Sequence, residues 1–244
     1  MKIEKASPTD IVLALAGNPN TGKSTIFNAL TGLKQHTGNW PGKTVTNAQG
    51  HFIHRGKPFL LVDLPGTYSI LANSPDEQVA RDFICFGKPE ATIVVTDATN
   101  LERNLNLALQ IMEITSDVVV AVNLLDEAER KGISVDLSKL SAELGVPVIG
   151  TIAREQKGLT ELKDIVDDIV MKKLQLKPYQ IRYSAGIEER INQLSLKLEK
   201  ILRGKINARW VALRLLDGDE TIIESIEKYL LPSSIDLRGE IASW

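Results

Sequence analysis

The sequence is short of several residue types, and each shortage narrows its class. Of 244 residues only Cys85 is a cysteine, so no intramolecular disulfide can form and a reducing compartment fits. Cys85 lies in the apolar run Phe83-Ile84-Cys85-Phe86 and reads as a buried structural thiol, not a nucleophile. There are three histidines, His36, His51 and His54. His51 and His54 differ by an odd number and would face opposite sides of a strand, so they read as surface or turn residues and not as ligands. No iron site is visible. The formal net charge is -2, without the basic excess or polybasic run that nucleic acid or an anionic lipid surface calls for. No apolar stretch approaches the roughly 20 residues that span a bilayer. The first ten residues are charged and lack the apolar core of a signal peptide.

What is present is ordinary for a globular chain, with 43% hydrophobic and 25% charged residues. Short, nearly continuous apolar runs read as strands covered on both faces: 11–16, 59–62, 91–95, 118–122 and 146–149. His51 to Val62, turning at Arg55-Gly56-Lys57, reads as a hairpin that adds an antiparallel edge strand. Leu101, Leu105, Ala108 and Met112 repeat at helical spacing, as do Leu159, Leu162, Ile165, Val166 and Ile169. Strand–helix alternation predicts an α/β fold: a mostly parallel sheet with one antiparallel edge strand, helices on both faces and the ligand at the carboxyl ends of the strands. After about residue 172 no strand signal remains. Lys172 to Tyr183 reads as a linker broken by Pro178. Stripes at Ile187, Ile191, Leu194, Leu198 and Ile201, at Ile206, Trp210, Leu213 and Leu216, and around 221–230 predict three helices. The expected division is an α/β domain at 1–174 and a small all-α domain at 175–244. Three helices bury little alone, so docking on the first domain or on a partner is expected.

Gly17-Asn18-Pro19-Asn20-Thr21-Gly22-Lys23-Ser24 matches G-x-x-x-x-G-K-[ST] between a strand and a helix. Its backbone N–H groups can wrap a phosphate, aided by the positive end of the following helix. Lys23 is expected to reach the β- and γ-phosphates, the Ser24 hydroxyl to ligate Mg²⁺, and Thr25 to touch the α-phosphate. Asp63-Leu64-Pro65-Gly66 ends a strand, where Asp63 can hold Mg²⁺ through a water and the Gly66 N–H can meet the γ-phosphate. Asn123-Leu124-Leu125-Asp126 ends another. A carboxylate at Asp126 can accept the N1 and N2 hydrogens of guanine, a pair adenine lacks. Alternatively Asp126 is a helix N-cap. Asn123 either reads the base edge or braces the loop. In Thr151-Ile152-Ala153-Arg154 the Ala153 N–H is a candidate donor to guanine O6.

In spacing and order these elements resemble the small G-protein superfamily from residue 11 to about 170, which implies that the α/β domain at 1–174 is a Ras-like P-loop G domain that binds GTP and GDP. One departure is Leu124, where that superfamily usually has lysine; weaker nucleotide binding and faster exchange are expected. Four further segments resemble the FeoB family of ferrous iron transport proteins: residues 37–45, Asp63 to Ser69, Asp97 to Leu105, and Ala208 to Asp219. The family's usual glutamate after Val45 is missing here, since Thr46-Asn47 follows. The resemblance implies that Thr44 ligates Mg²⁺ and senses the γ-phosphate. It also implies K⁺ held by the Asn20 side chain and the carbonyls of Gly38 and Trp40. Trp40 reads equally as a hydrophobic anchor. Thr67 stands where Ras-like enzymes carry a water-orienting glutamine, so intrinsic hydrolysis is expected to be slow. Lys23, Thr44, Gly66 and Asn20 are thus the expected catalytic residues.

By the same resemblance the helical part is a nucleotide-dissociation-inhibitor-like module; its bland reading is a spacer. The chain is expected to regulate a membrane-spanning iron permease in the same full-length protein, at the cytoplasmic face of the bacterial inner membrane. Small accessory proteins and a homo-oligomer are further expected partners, nucleic acid is not, and Ala242-Ser243-Trp244 is expected to be a boundary within a longer protein. A ribosome- or tRNA-associated K⁺-dependent GTPase is the alternative, although the basic appendage it would need is missing. A nucleotide-binding module that never hydrolyses is the third.

Overall fold

A computed structural model describes residues 7–32, 35–40, 45–232 and 237–242. The chain runs β1 (Ile11–Gly17), α1 (Lys23–Thr31), β2 (Gln35–Asn39), β3 (Thr46–His54), β4 (Lys57–Asp63), α2 (Pro75–Phe86), β5 (Ala91–Asp97), α3 (Leu101–Ile114), β6 (Val118–Asn123), α4 (Leu125–Arg130), α5 (Leu137–Leu144), β7 (Val148–Gly150) and α6 (Leu159–Val170). Single 3-10 turns, Ala98–Asn100 and Ala153–Glu155, follow β5 and β7. Then come α7 (Ala185–Leu202), α8 (Ala208–Leu216), α9 (Thr221–Tyr229) and α10 (Leu237–Ala242).

The strands form one sheet in the order β2-β3-β4-β1-β5-β6-β7. β4, β1, β5, β6 and β7 are parallel, and β3 runs antiparallel to β4. The expected hairpin therefore forms, but β3 is not the rim, because β2 pairs antiparallel along its outer side. Gly38 faces Asn47 in that ladder. Residues 37–45, expected as a switch segment, thus begin inside a strand that the sequence does not announce, since Gln35-His36-Thr37-Gly38-Asn39 carries no apolar alternation. β7 begins at Val148, later than the expected 146. Pro147 has no N–H to give the ladder, while its carbonyl accepts from Val120 N at 3.0 Å.

Alternation along β1 divides the core. Leu13 and Leu15 pack under α1 and α6, whereas Val12, Ala14 and Ala16 pack with α2 and α3 on the other face. Helices on both faces explain why the strands read as unbroken apolar runs. Cys85 is buried in the second face, and burial pushes its thiol well above the usual range. His51 Nε2 lies 3.3 Å from an Asp10 carboxylate oxygen, and His54 Nε2 lies 2.8 Å from Asp164 Oδ1.

The helical unit has four helices among the described residues, one more than the stripes predict. α10 is six residues long, too short to display a period, but Leu237 is fully buried. The unit docks on α2 and α3. The Phe86 and Tyr229 rings sit 5.2 Å apart, and Asn207 Nδ2 donates to the Glu113 carbonyl at 3.0 Å. The centre of this contact is Arg81, whose side chain is 1% exposed. No helix among the described residues is long and apolar enough to cross a membrane.

Candidate nucleotide-binding site

Five segments meet at the carboxyl edge of the sheet. β1 ends at Gly17, where a Cβ would stand 2.7 Å from the Val95 carbonyl, so only glycine allows β1 this close to β5. The loop then tightens. Asn20 is left-handed (φ 67°), and the Thr21 hydroxyl donates to the Asn18 carbonyl at 3.0 Å. Gly22 is left-handed too (φ 82°) and caps α1 without a side-chain hydrogen bond. The first N–H groups of α1 thus have no side-chain cap, the usual condition for accepting an anion. Asn18 is buried, and neither polar atom of its side chain has a partner among the described residues. Ser24 and Thr25 follow, exposed on the first turn of α1.

A Cβ on Gly22 would lie 2.2 Å from Asn123 Nδ2, in addition to its strained φ. Gly22→Ala is accordingly expected to cost about 1–3 kcal/mol and to weaken guanine-nucleotide binding more than about tenfold. Titration with labelled GDP and a thermal melt check both effects. Unchanged affinity would show that the tight loop is dispensable.

Lys23 reaches the end of β4. Its ammonium pairs with the Asp63 carboxylate and donates to the Leu64 carbonyl at 2.7 Å. Burial pushes the Asp63 carboxyl above its ordinary value, while the Lys23 charge and hydrogen bond pull it back. Gly66 lies beside the loop, since a Cβ there would meet Pro19 at 3.5 Å. Thr67 is buried next to it. Ser24 and Asp63 offer hard oxygens, a donor set suited to Mg²⁺. Thr44, the third expected ligand, lies outside the described residues.

For the expected K⁺ set, Asn20 stands exposed on the loop and Gly38 is held in the β2 ladder. The Trp40 indole is buried, with its ring 5.3 Å from Phe83 in an edge-on contact, while the backbone N–H of Trp40 donates to the Val45 carbonyl at 2.9 Å. The hydrophobic-anchor reading describes this side chain. The cation reading concerns only its carbonyl.

Asn123 is the brace of the site. Its Nδ2 donates to the Thr21 carbonyl at 3.0 Å. Its Oδ1 accepts from the Thr151 hydroxyl at 3.0 Å and from the Ala153 N–H at 3.1 Å. One buried amide thus joins the loop after β1 to the segment after β7. Of the two readings left open for Asn123, bracing is the one observed. The Ala153 N–H, expected to face guanine O6, is engaged by Asn123 instead. Sequence could not show this, because a 30-residue separation hides the contact.

Leu124 is left-handed (φ 63°) and occupies the N-cap of α4, which puts Asp126 in the first turn and removes the N-cap reading of that carboxylate. Leu124 Cδ2 lies 4.0 Å from where a Gly22 Cβ would stand, so its apolar tip reaches the phosphate loop. Asp126 Oδ2 is shared by Arg154 and Arg130, and Oδ1 is buried without a partner among the described residues. Neither arginine is among the site residues expected from the sequence. The i, i+4 spacing of Asp126 and Arg130 was a readable signal, and Arg154 carried none.

The two most distinctive sequence segments have structural work to do. In the first, Asp97 Oδ1 caps the 3-10 turn through the Thr99 N–H at 2.7 Å, and Arg103 sets its guanidinium 4.3 Å over the ring of exposed Tyr68. In the second, Arg209 clamps Glu188 through two bonds of 2.7 and 2.9 Å, while Asp219 reaches Arg81 of α2 at 3.4 Å. Arg81-Asp82 inside the apolar run of α2 was the overlooked hint of a buried charge.

Comparison with known proteins agrees with this geometry. Residues 11–166 match the family model for ferrous iron transport protein B, and residues 183–242 match the FeoB cytosolic helical domain. A Porphyromonas gingivalis Fe(2+) transport protein A/Fe(2+) transporter FeoB fusion protein is 40% identical over 214 residues, covering 86% of this chain and 25% of the relative. The Escherichia coli K12 Fe(2+) transporter FeoB is 38% identical over 213 residues, covering 86% and 27%. The chain thus spans about a quarter of the length of these curated relatives. The crystal structure of the T. maritima FeoB cytosolic domain in a GDP form superposes with a TM-score of 0.81 at 37% identity, over 91% of this chain and 86% of that one. Its GMPPNP form gives 0.78 at 39% identity, over 91% and 87%.

Proposed function

Because this chain belongs to the FeoB family of ferrous iron transport proteins, we propose that it binds GTP with Mg²⁺, hydrolyses it slowly to GDP and phosphate, and is stimulated by K⁺. We place its two functional units at residues 1–174 and 175–244. The observation that carries the reading is the Asn123 brace. It holds the phosphate loop against the segment after β7, with the Asp126 carboxylate three residues along the chain.

In this reading the loop from Gly17 to Gly22 encloses the phosphates with main-chain N–H groups, and Asn18 and Thr21 hold its shape. Lys23 swings from Asp63 to the β- and γ-oxygens. Thr25 contacts the α-phosphate. The Gly66 N–H meets the γ-phosphate as water attacks phosphorus and the bond to the bridging oxygen breaks. Mg²⁺ held by Ser24, Asp63 and Thr44 would neutralise phosphate charge. K⁺, if held by Asn20 and the carbonyls of Gly38 and Trp40, would supply positive charge that stabilises the transferring phosphoryl group, as an arginine finger does. Asp126 selects guanine, and Thr151 and Ala153 shape the base pocket through Asn123. Thr67 has no side-chain amide to orient water, which supports slow turnover without the cation.

The same membership supports a regulatory role beside a membrane-spanning Fe(2+) permease of the same polypeptide, at the cytoplasmic face of the inner membrane. The helical unit, docked on α2, is then placed to feel nucleotide state. Turnover is expected to be several-fold to tens-fold faster in KCl than in NaCl at matched ionic strength, with GTP strongly preferred to ATP. Asn20→Ala should erase the difference between the two salts. Equal rates in both salts would remove the cation role, and equal use of ATP would remove the guanine assignment.

A further inference from the structure

The carboxylate assigned to guanine is already paired with a group that looks like guanine. Asp126 is recessed, its side chain 15% exposed, and the exposed side chains of two arginines pair with it. Arg154 Nη2 pairs with Oδ2. Arg130 donates Nη2 to the same oxygen at 3.1 Å and Nε to the Asp126 carbonyl at 3.2 Å. The two arginines differ in their ties. Arg130 lies on the same helix as Asp126 and also has Glu127 Oε1 at 3.7 Å. Arg154 comes from the segment after β7, and Asn123 holds the backbone of its neighbour Ala153 at 3.1 Å. The root of the Arg154 side chain is therefore fixed beside the carboxylate, although the side chain itself is 53% exposed.

The chemistry of the two competitors is alike. Guanine presents N1–H and the N2 amino group on one carbon, an N–C–N unit with hydrogens pointing the same way. A guanidinium presents the same unit with a positive charge. We propose that Arg154 is an intramolecular mimic of the guanine edge. It competes with the base for Asp126, lowers guanine-nucleotide affinity and takes over the carboxylate as nucleotide leaves. The inference rests on Asp126 being the guanine acceptor. It gives the expected fast exchange a second cause besides Leu124: the base must displace a cation to bind, and the cation is tethered nearby when the base departs.

An exposed ion pair competes only modestly, so the effect has a bounded size. Arg154→Gln is expected to tighten GDP binding about two- to fivefold and to slow release by a similar factor. The ratio of wild-type to variant Kd should fall toward one as salt screens the pair. The test measures Kd and dissociation rate for labelled GDP and xanthosine diphosphate on four proteins: wild type, R154Q, D126N and D126N/R154Q. The xanthine 2-oxo group accepts from an amide, so D126N alone should turn preference from GDP toward xanthosine diphosphate. In the D126N background R154Q should bring no gain. If D126N leaves the base preference unchanged, the guanine assignment of Asp126 fails and this inference fails with it. If D126N switches preference but R154Q binds GDP equally or more weakly, the assignment stands and the mimic is overturned. The same gain from R154Q with and without Asp126 would also overturn it, because the arginine would then act elsewhere.

Discussion

Arg81→Met is expected to lower the melting temperature by roughly 6–20 °C, from a loss of about 3–5 kcal/mol and a shift of about 2–4 °C per kcal/mol at this chain length. A guanidinium has five N–H donors, and Arg81 makes five hydrogen bonds. Nε and Nη2 donate to Asp82 Oδ1 at 3.0 and 2.8 Å, and Nη2 also donates to the Ser225 hydroxyl at 2.9 Å. Nη1 donates to the Thr221 hydroxyl at 2.6 Å and to Asp219 Oδ2 at 3.4 Å. Methionine retains the apolar stem but leaves two nearly buried carboxylates, Asp82 and Asp219, without their cation. The cost is therefore that of an uncompensated buried charge and not of a cavity.

The position of these bonds makes a further difference. Thr221, Ser225 and Asp219 belong to α9 or the turn before it, whereas Arg81 and Asp82 belong to α2, which follows the Asp63-to-Ser69 segment. The variant is expected to loosen the helical unit from the sheet-bearing unit as well as to destabilise the whole. Calorimetry should show a single transition in the wild type and a broadened or split one in R81M. A drop of less than about 2 °C would mean that water reaches the cluster and already screens it.

Asn123→Ala is expected to weaken GDP binding by roughly a hundredfold, equivalent to about 3 kcal/mol. The Thr21 carbonyl, the Thr151 hydroxyl and the Ala153 N–H would lose a partner together, and each unmade buried bond costs about 1–3 kcal/mol. Most of that loss falls on the two segments that surround the ligand, so affinity should suffer more than overall stability. Asn123→Asp separates the two halves of the brace. Its carboxylate still accepts from Thr151 and Ala153, but it cannot donate to Thr21 and faces that carbonyl with a negative charge. The phosphate loop should be affected in both variants and the Ala153 segment mainly in the alanine variant. Isothermal titration with GDP, alongside thermal melts of each protein, measures the split. Near-wild-type affinity in N123A would mean that the loops keep their shape without the amide.

Within the phosphate loop and the strands, local reading went far because the determinants are local. An apolar run of five or six residues, followed by Gly17 to Ser24, specifies a strand, a tight turn and a helix start through steric rules that act over one or two residues. The same holds for the helical stripes between 187 and 216, whose period is a property of the chain itself. The failures occurred where tertiary contact overrides local character. β2 has no apolar alternation and exists because β3 offers it an edge. Leu124 adopts a left-handed conformation unfavourable for leucine where β6 turns into α4.

From the amino-acid order alone came the α/β class, the family resemblance, the phosphate loop and the identity of the carboxylates at 63 and 126, because each depends on residue types at short fixed spacing. Tertiary structure decided the partners: Asn123 as a brace, Ala153 as its donor, Arg154 on Asp126, and Arg81 as the bolt between two units. Those pairs are separated by 28 to 144 residues. A hydrogen bond has no period and leaves no local trace, so only the fold that brings its two ends together can reveal it.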